Sequence, residues 1–578
     1  ARNEWIYPPI VTEFRIHLPL EYKDSFQLCY PCRNLNLNAL LSSFYYRKDD
    51  CVLCQILFRC LQDSRNKDPL TSLLNARQDI RICAVPGPQC DYKIPPGFPR
   101  FLQSGSQPHF DLIKEWIRLC NQGKCTRLHG CCPDLNTTPM PTRVIDVGDG
   151  RTARLVLTDI DKIDIPRPHY VALSHCWGNP TEEQKNDWTT TTSNMNEWTK
   201  GFLVTKLPQT FQDAIKVTRE LGQQYLWIDS LCIIQGDLSD WNNESKKMEA
   251  VFKNAYYTIA ATSAEDLNKG FLSRPLLEEK DSQYVTVATS SHGKVFVCTS
   301  IDDFDSDVVE GGLNKRAWVL QERALSRRII HFTKRQTYWE CGGGVRCETL
   351  THMTKNRSSM AQIELIQSLF TDYSNLGITE RKDRPVAIDS LATALANALE
   401  TNVRYGIFER FLHKSVLWQR SQNIPLEQIP FAADKAPPSW SWMAYHGQIR
   451  YPQEITLGGI EWDKRVHFVK AEYAMPPDIL ETRVRRLQNC EIKPEGVISD
   501  MENNKVGNLH FDTQLENDPL EEVRCAIIGR DAKVKDGGRE YHVLFVASTQ
   551  LKFRRVGMGT IQQRFIMFDG QDDTAQIV

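Results

Sequence analysis

No apolar run in this chain approaches the roughly 18 residues needed to cross a bilayer; the longest are of the order of LWIDSLCII. The opening stretch ARNEWIYPPIVTEF lacks the apolar core of a signal peptide, so a soluble, cytosolic protein is expected, with no membrane span. Neither sign of charge dominates. The 70 Lys and Arg balance 72 Asp and Glu for a net charge of -2, which leaves no basic surplus for nucleic acid and no acidic tail. Internal repeats and low-complexity tracts are absent. So is G-x4-G-K-[ST], which argues against oligomerisation driven by a P-loop of the chain's own.

What remains is an ordinary globular composition, 41% hydrophobic and 25% charged over 578 residues. At about 100 to 200 residues per domain, this length suits about three domains. Of the 18 cysteines, 11 crowd into the first 132 residues. Without a sign of secretion they read as thiols or metal ligands rather than a disulfide framework. Cys29-x2-Cys32 and Cys51-x2-Cys54, 18 residues apart, fall inside a zinc spacing, so zinc is one expectation. The other is reduced core cysteines, because CVLCQILFRC has the apolar spacing of a helix that buries its thiols. Cys120, Cys125, His129, Cys131 and Cys132 make a second corner that matches no standard finger.

Three regions follow from patterning. Residues 1–140 form a Cys-rich, mostly helical N-terminal region with the patterns LNALLSSFYYR and CVLCQILFRCLQ, and they end in the turn-rich PDLNTTPMPTRVID. Residues 141–345 alternate strand and helix, and 346–578 read as an α+β region with helices at about 360 to 420 and β runs such as YHVLFVAST. In SWSW, at 439–442, the alternation suits a strand with both indoles on one face.

The centre carries the functional reading. YVALSH is a strand ending at Gly178. PQTFQDAIKVTRELG is a helix with Phe211, Ala214, Ile215, Thr218 and Leu221 on one face, started by Pro208 and stopped by Gly222. YLWID is a second strand, SDWNNESKKMEAVFKNA a second helix with Met248, Val251, Phe252 and Ala255 inward, and TIAATSA a third strand. This β-α-β-α-β order implies an α/β fold with a doubly wound parallel sheet. Ligands bind such sheets beyond the carboxyl ends of the strands. Three segments should converge there: His175 to Gly178, Asp229 to Cys232, and Thr262 to Ala264.

Glu244 follows Trp241 by three and precedes Met248 by four, so it lies on the apolar stripe. An inward carboxylate is paired, hydrogen-bonded or raised in pKa, and such groups gather at functional sites; a bond to first-turn amides or to an arginine would satisfy it equally. Asp229 can orient His175, bind a ribose hydroxyl or receive loop amides. His175 is a candidate acid/base or a histidine bonded to a backbone carbonyl. Cys176 and Cys232 are candidate thiols or small core residues, Trp177 and Trp227 packing residues, and Gly178 a turn or a point of close ligand approach. In KRAWVLQERALSRRIIHF, Arg316, Gln321, Glu322 and Arg323 form either a helix salt-bridged to the sheet or a ligand-binding edge.

YVALSHCWG, YLWIDSLCIIQ and RAWVLQER together resemble the fungal heterokaryon incompatibility (HET) domain, and LPQTFQDAIKVTRELG and DWNNESKKMEAVFKNAYYTIAA extend the likeness over 169–323. LCYPC with CVLC, WIRLC with HGCC, TDYSNLGITERKDRPVAIDSLA and APPSWSWMAY resemble regions that accompany such domains; Phe252 departs from the family's usual Tyr. The resemblance implies fungal non-self recognition or regulated cell death, with a protein partner in an incompatibility system or a homo-oligomer. It also implies a flavodoxin-like sheet related to TIR domains, some of which hydrolyse NAD with a helical glutamate, a place taken here by Glu244 after Trp241. Glu244, His175 and Asp229 are then the catalytic candidates. Ser174, Cys176, Trp177, Gly178, Ser230, Cys232, Trp241, Arg316, Gln321 and Glu322 are candidates to bind a substrate such as NAD. The competing functions are an enzyme of specialised metabolism with His175 as general base, or an interaction module without catalysis.

Overall fold

Short apolar runs with no polar face are satisfied only inside a sheet covered on both sides, and the computed structural model places them there. It describes residues 5–6, 80–84, 103–123, 139–161, 169–274, 284–289, 293–299 and 302–355, with single positions 51, 54 and 97. Beyond these it describes 362–421, 424–432, 435–452, 459–469, 479–513, 523–532, 538–549, 552–568 and 574–578. The chain forms two units, one of residues 1–315 and 322–357, the other of 316–321 and 358–578.

In chain order the first unit contains α1 (Gln107–Asn121), β1 (Arg143–Asp146), β2 (Thr152–Leu157) and β3 (Tyr170–Ser174). Next come α2 (Gln209–Glu220), β4 (Tyr225–Trp227), α3 (Leu238–Glu244), α4 (Met248–Asn254) and β5 (Thr258–Ala260). Helix α5 (Ala317–Leu325) leads into β6 (Arg328–Phe332), β7 (Thr337–Cys341), β8 (Gly344–Cys347) and β9 (His352–Lys355). The sheet order is Trp5–Ile6, β9, β8, β7, β6, β5, β3, β4, β1, β2, Phe202–Leu203.

Strands β4, β3, β5 and β6 are parallel neighbours, with Ala172 opposite Trp227 on one side and Thr258 on the other. Every residue of β3, β4 and β5 is buried. Taken in sequence the four run 2-1-3-4 across the sheet, so the crossover direction reverses after β4. Right-handed crossovers then put α2 on one face and α3 with α4 on the other, and the crevice lies at the carboxyl ends of β3 and β5.

The sheet is not parallel throughout. β1 and β2 form an antiparallel hairpin beside β4, and β6 to β9 form a meander whose β7–β8 turn is only Gly342 and Gly343. Turns this short permit only antiparallel neighbours, so the result is a mixed α/β sheet with a parallel centre. The predicted second helix is also divided, into α3, a 3-10 turn at Ser245–Lys247, and α4. In the N-terminal region, LNALLSSFYYR and most of CVLCQILFRCLQ lie outside the described residues. Helix α1 buries Phe110, Leu112, Ile113, Trp116 and Leu119, and its His109 meets Thr337 of β7 at 2.9 Å.

The second unit has α6 (Gln362–Ser374) and α7 (Val386–Ala398), as the 360 to 420 pattern predicts, then β10 (Leu480–Arg485), β11 (Arg524–Asp531), β12 (Glu540–Thr549), β13 (Lys552–Gln562) and β14 (Thr574–Ile577). β10 bonds β11, β11 bonds β12, β12 bonds β13, β13 bonds β14, and β14 returns to β10. The five strands therefore close into a barrel-like ring within a ten-stranded sheet, whose outer strands are Ile460–Trp462 and Cys490–Ile492. SWSW is a turn entering a 3-10 helix, Trp442–Ala444, and not a strand, because Ser441 Oγ accepts the Met443 N–H and caps it; both indoles are buried all the same. No helix among the described residues is long and apolar enough to cross a membrane.

Candidate functional site

Where β3 ends, the chain turns through His175, Cys176, Trp177 and Gly178. His175 is buried, edge-on to Phe211 of α2 at 5.1 Å and nearly parallel to Trp177 at 6.5 Å. The Trp177 indole donates to Asp229 Oδ2 at 3.0 Å. His175 Nε2 lies 3.8 Å from Asp229 Oδ1, beyond hydrogen-bond length but close enough for a charge on either to act on the other. Asp229 opens a single helical turn, Asp229–Cys232, just past β4, and its Oδ1 also accepts the Ser230 N–H at 2.7 Å. The carboxylate is thereby fixed while its side chain stays 30% exposed.

Behind it the environment is dry. Ser230 is fully buried, and its Oγ has no hydrogen-bond partner among the described residues. Burial pushes the Cys232 thiol up to about 12 against the pull of Arg143, so it remains protonated at neutral pH. Asp229 and Glu244 both act on that thiol, which places Cys232 within electrostatic reach of the two carboxylates. Cys176 and Trp177 are partly exposed.

Gly178 has φ +68°, and a Cβ there would stand 2.5 Å from Asp266 Cβ. The loops after β3 and β5 thus meet, as the strand-end rule predicts, but through Asp266 and not through Thr262 to Ala264.

Glu244 faces inward, only 5% exposed, as the helical spacing predicts. It closes α3, and its Oε1 accepts from Thr142 Oγ1 and Lys247 Nζ, each at 2.9 Å. Trp241, one turn earlier, is partly exposed. Next to this group Arg143 donates twice to Asp240, at 2.7 and 2.6 Å, and once to the Cys232 carbonyl at 2.6 Å. A clamp of this kind holds the turn that carries Asp229 and Cys232.

On the other side of β3, Ser174 Oγ donates to Glu322 Oε2 at 2.5 Å, both side chains being buried. Arg323 donates twice to Glu340 of β7, at 3.0 and 2.9 Å, so α5 is salt-bridged to the sheet. Arg316 and Gln321 belong to the second unit, where Arg316 bridges Gly377 through the backbone and Gln321 is buried. Cys29 and Cys32 lie outside the described residues, as do Cys125, His129, Cys131 and Cys132, while Cys51, Cys54 and Cys120 are buried. No metal-holding group of His, Cys, Asp and Glu occurs among the described residues.

Thr142, Arg143, Asp240, Lys247 and Asp266 carried no signal in the sequence reading. Thr142 and Arg143 stand in a stretch read as linker, and Asp240 and Lys247 sit on the polar side of a helix. Only the sheet order brings β1 next to β4 and makes them neighbours of Glu244 and Cys232.

Residues 170–322 match the family described as heterokaryon incompatibility protein (HET). Comparisons with curated proteins and with solved structures gave no match. The matched segment opens at the first residue of β3 and closes at Glu322, the partner of Ser174, so it takes in the HCWG loop, Asp229 and Glu244. The likeness to the HET family is thus confined to this segment, which lies in the first unit except for residues 316–321.

Proposed function

We propose that the chain is an incompatibility protein of a fungal non-self recognition system whose HET domain hydrolyses NAD at the carboxyl ends of β3, β4 and β5. The observation that carries this reading is Asp229. It is a carboxylate fixed by the Trp177 indole and a backbone N–H, beside His175 and over a buried hydroxyl, yet open to solvent. The 2-1-3-4 strand order supports it, being the start of the flavodoxin-like order that TIR domains share.

Breaking the nicotinamide bond develops positive charge on the ribose, and a pre-oriented carboxylate stabilises that charge as it forms. Asp229 is placed to do this because it faces outward. Glu244 is enclosed by Thr142 and Lys247, so it acts from behind, through the field it adds at Cys232. Trp177 offers a ring face to the leaving base, and Gly178 lets the backbone approach a phosphate.

Purified chain at high concentration, incubated with NAD, should release nicotinamide. Asp229→Asn should lower the rate by about 100-fold, the scale of losing one transition-state electrostatic contact. Glu244→Gln should lower it less. Undiminished release by Asp229→Asn would move the chemistry elsewhere. The absence of release by wild-type protein at any concentration would leave the site a binding surface, or a cleft for other acid/base chemistry through His175.

A further inference from the structure

Arg384, two residues before α7, is 0% exposed. A buried guanidinium loses several kcal/mol of hydration unless a carboxylate faces it. The same unit contains the usual arrangement. Arg555 is equally enclosed, and it presents its Nε and Nη2 edge to Asp512 in bonds of 2.8 and 3.1 Å.

On Arg384 that edge meets no carboxylate among the described residues. Nη2 reaches only His446 Nδ1, at 3.2 Å, and Nε has no acceptor among the described residues. Nη1 makes one long bond of 3.4 Å to the Ser374 carbonyl, and the Tyr373 ring centroid is 5.7 Å away. The ionisable groups acting on Arg384 are Tyr373 and Arg381, neither of them a carboxylate. Asp383 and Glu380 act on each other instead.

Arginine only donates, so His446 Nδ1 is the acceptor and the imidazole is neutral. Burial, with the Arg384 and Arg381 charges, holds the ring below the usual histidine range. A neutral ring thus occupies the position of a counter-ion. His446 is only partly buried, so it can turn outward. Arg381, exposed and paired with Glu427, stands one turn from Arg384 and brings a second guanidinium near it.

We infer that the Nε and Nη2 edge of Arg384 is a binding site for a small oxyanion, a carboxylate or phosphate group, that displaces His446 and is met by Arg381. Two parallel N–H donors match such a group in bidentate fashion, and the ligand supplies the charge that Asp512 supplies to Arg555.

The test is the melting temperature of the full chain titrated with inorganic phosphate, acetate or chloride at matched ionic strength, because a ligand of the folded state raises it saturably. Phosphate or acetate should give a saturable rise that chloride does not, and which of the two does so identifies the group. His446→Ala removes the competing ring and should lower the half-saturating concentration by roughly fivefold. Arg384→Gln should abolish the rise. The site is refuted if neither phosphate nor acetate exceeds chloride in wild type and His446→Ala, or if the rise survives in folded Arg384→Gln. If Arg384→Gln does not fold, the His446→Ala comparison decides alone.

Discussion

A single backbone position shows how tightly the crevice is drawn. Gly178 holds a left-handed φ, which costs an L side chain about 1–2 kcal/mol, and a Cβ there would meet Asp266 Cβ at 2.5 Å. Gly178→Ala should therefore destabilise the first unit by about 2–4 kcal/mol, the backbone cost plus that of a tight clash. The two parts can be separated. Adding Asp266→Gly removes the atom struck and leaves the backbone cost, so urea unfolding should recover about half of the loss in the double variant. A single variant within about 0.5 kcal/mol of wild type would mean that the HCWG loop is not pinned to the loop after β5. The same glycine sets where the HCWG loop stands, and with it the Trp177 indole that bonds Asp229.

Among the elements, a buried bond from Ser174 Oγ to Glu322 Oε2 ties α5 to the end of β3. Ser174→Ala removes this donor from a charged group that is 8% exposed, at a cost of about 1.5–3 kcal/mol. Glu322→Gln keeps an acceptor of the same shape and should cost clearly less in the same unfolding assay. Equal losses would show that the charge on Glu322, and not the bond to Ser174, holds the helix. This contact also marks what local pattern can reveal. YVALS, QTFQDAIKVTRE and YLW were legible because each element's apolar period is its own, and Glu244 was placed inward by the same rule. The β1–β2 hairpin, the β6–β9 meander and the closure of the barrel depend on which distant strand lies alongside, and a period carries no such information. SWSW failed for a different reason: a serine that caps a turn outweighed an alternation that spelled strand.

At the scale of the molecule, most perturbed charges of the two units respond to acid in opposite senses, Asp307 of the first unit, raised by burial, being an exception. In the first unit, burial raises Glu348 but the Arg274 charge and the bonds from His109 and Arg274 outweigh it, so its carboxyl titrates at about 2. Glu340 is likewise held low by Arg323 and His331 against the effect of burial. Such carboxylates contribute stability that is complete above about pH 4.5 and is lost as pH falls toward their folded values. His331 is pushed down by burial, so below about pH 6.5 the unfolded chain takes up a proton that the folded chain refuses, which again lowers stability. The second unit carries the reverse arrangement. Burial first, then Glu380, push Asp383 up to about 6, and burial also raises Asp372 and Asp512. These acids protonate in the folded chain before the unfolded one, so stability increases as pH drops from about 6 toward 4, opposed only in part by the lowered His446. Differential scanning calorimetry of the full chain between pH 7 and 3 should therefore show the transition of the first unit moving down, most steeply below about pH 4.5, while that of the second holds or rises. Asp383→Asn should remove most of the second unit's response and leave the first unchanged. Parallel movement of both transitions, or an unaltered second response in Asp383→Asn, would mean that these buried acids do not set the pH dependence of the fold.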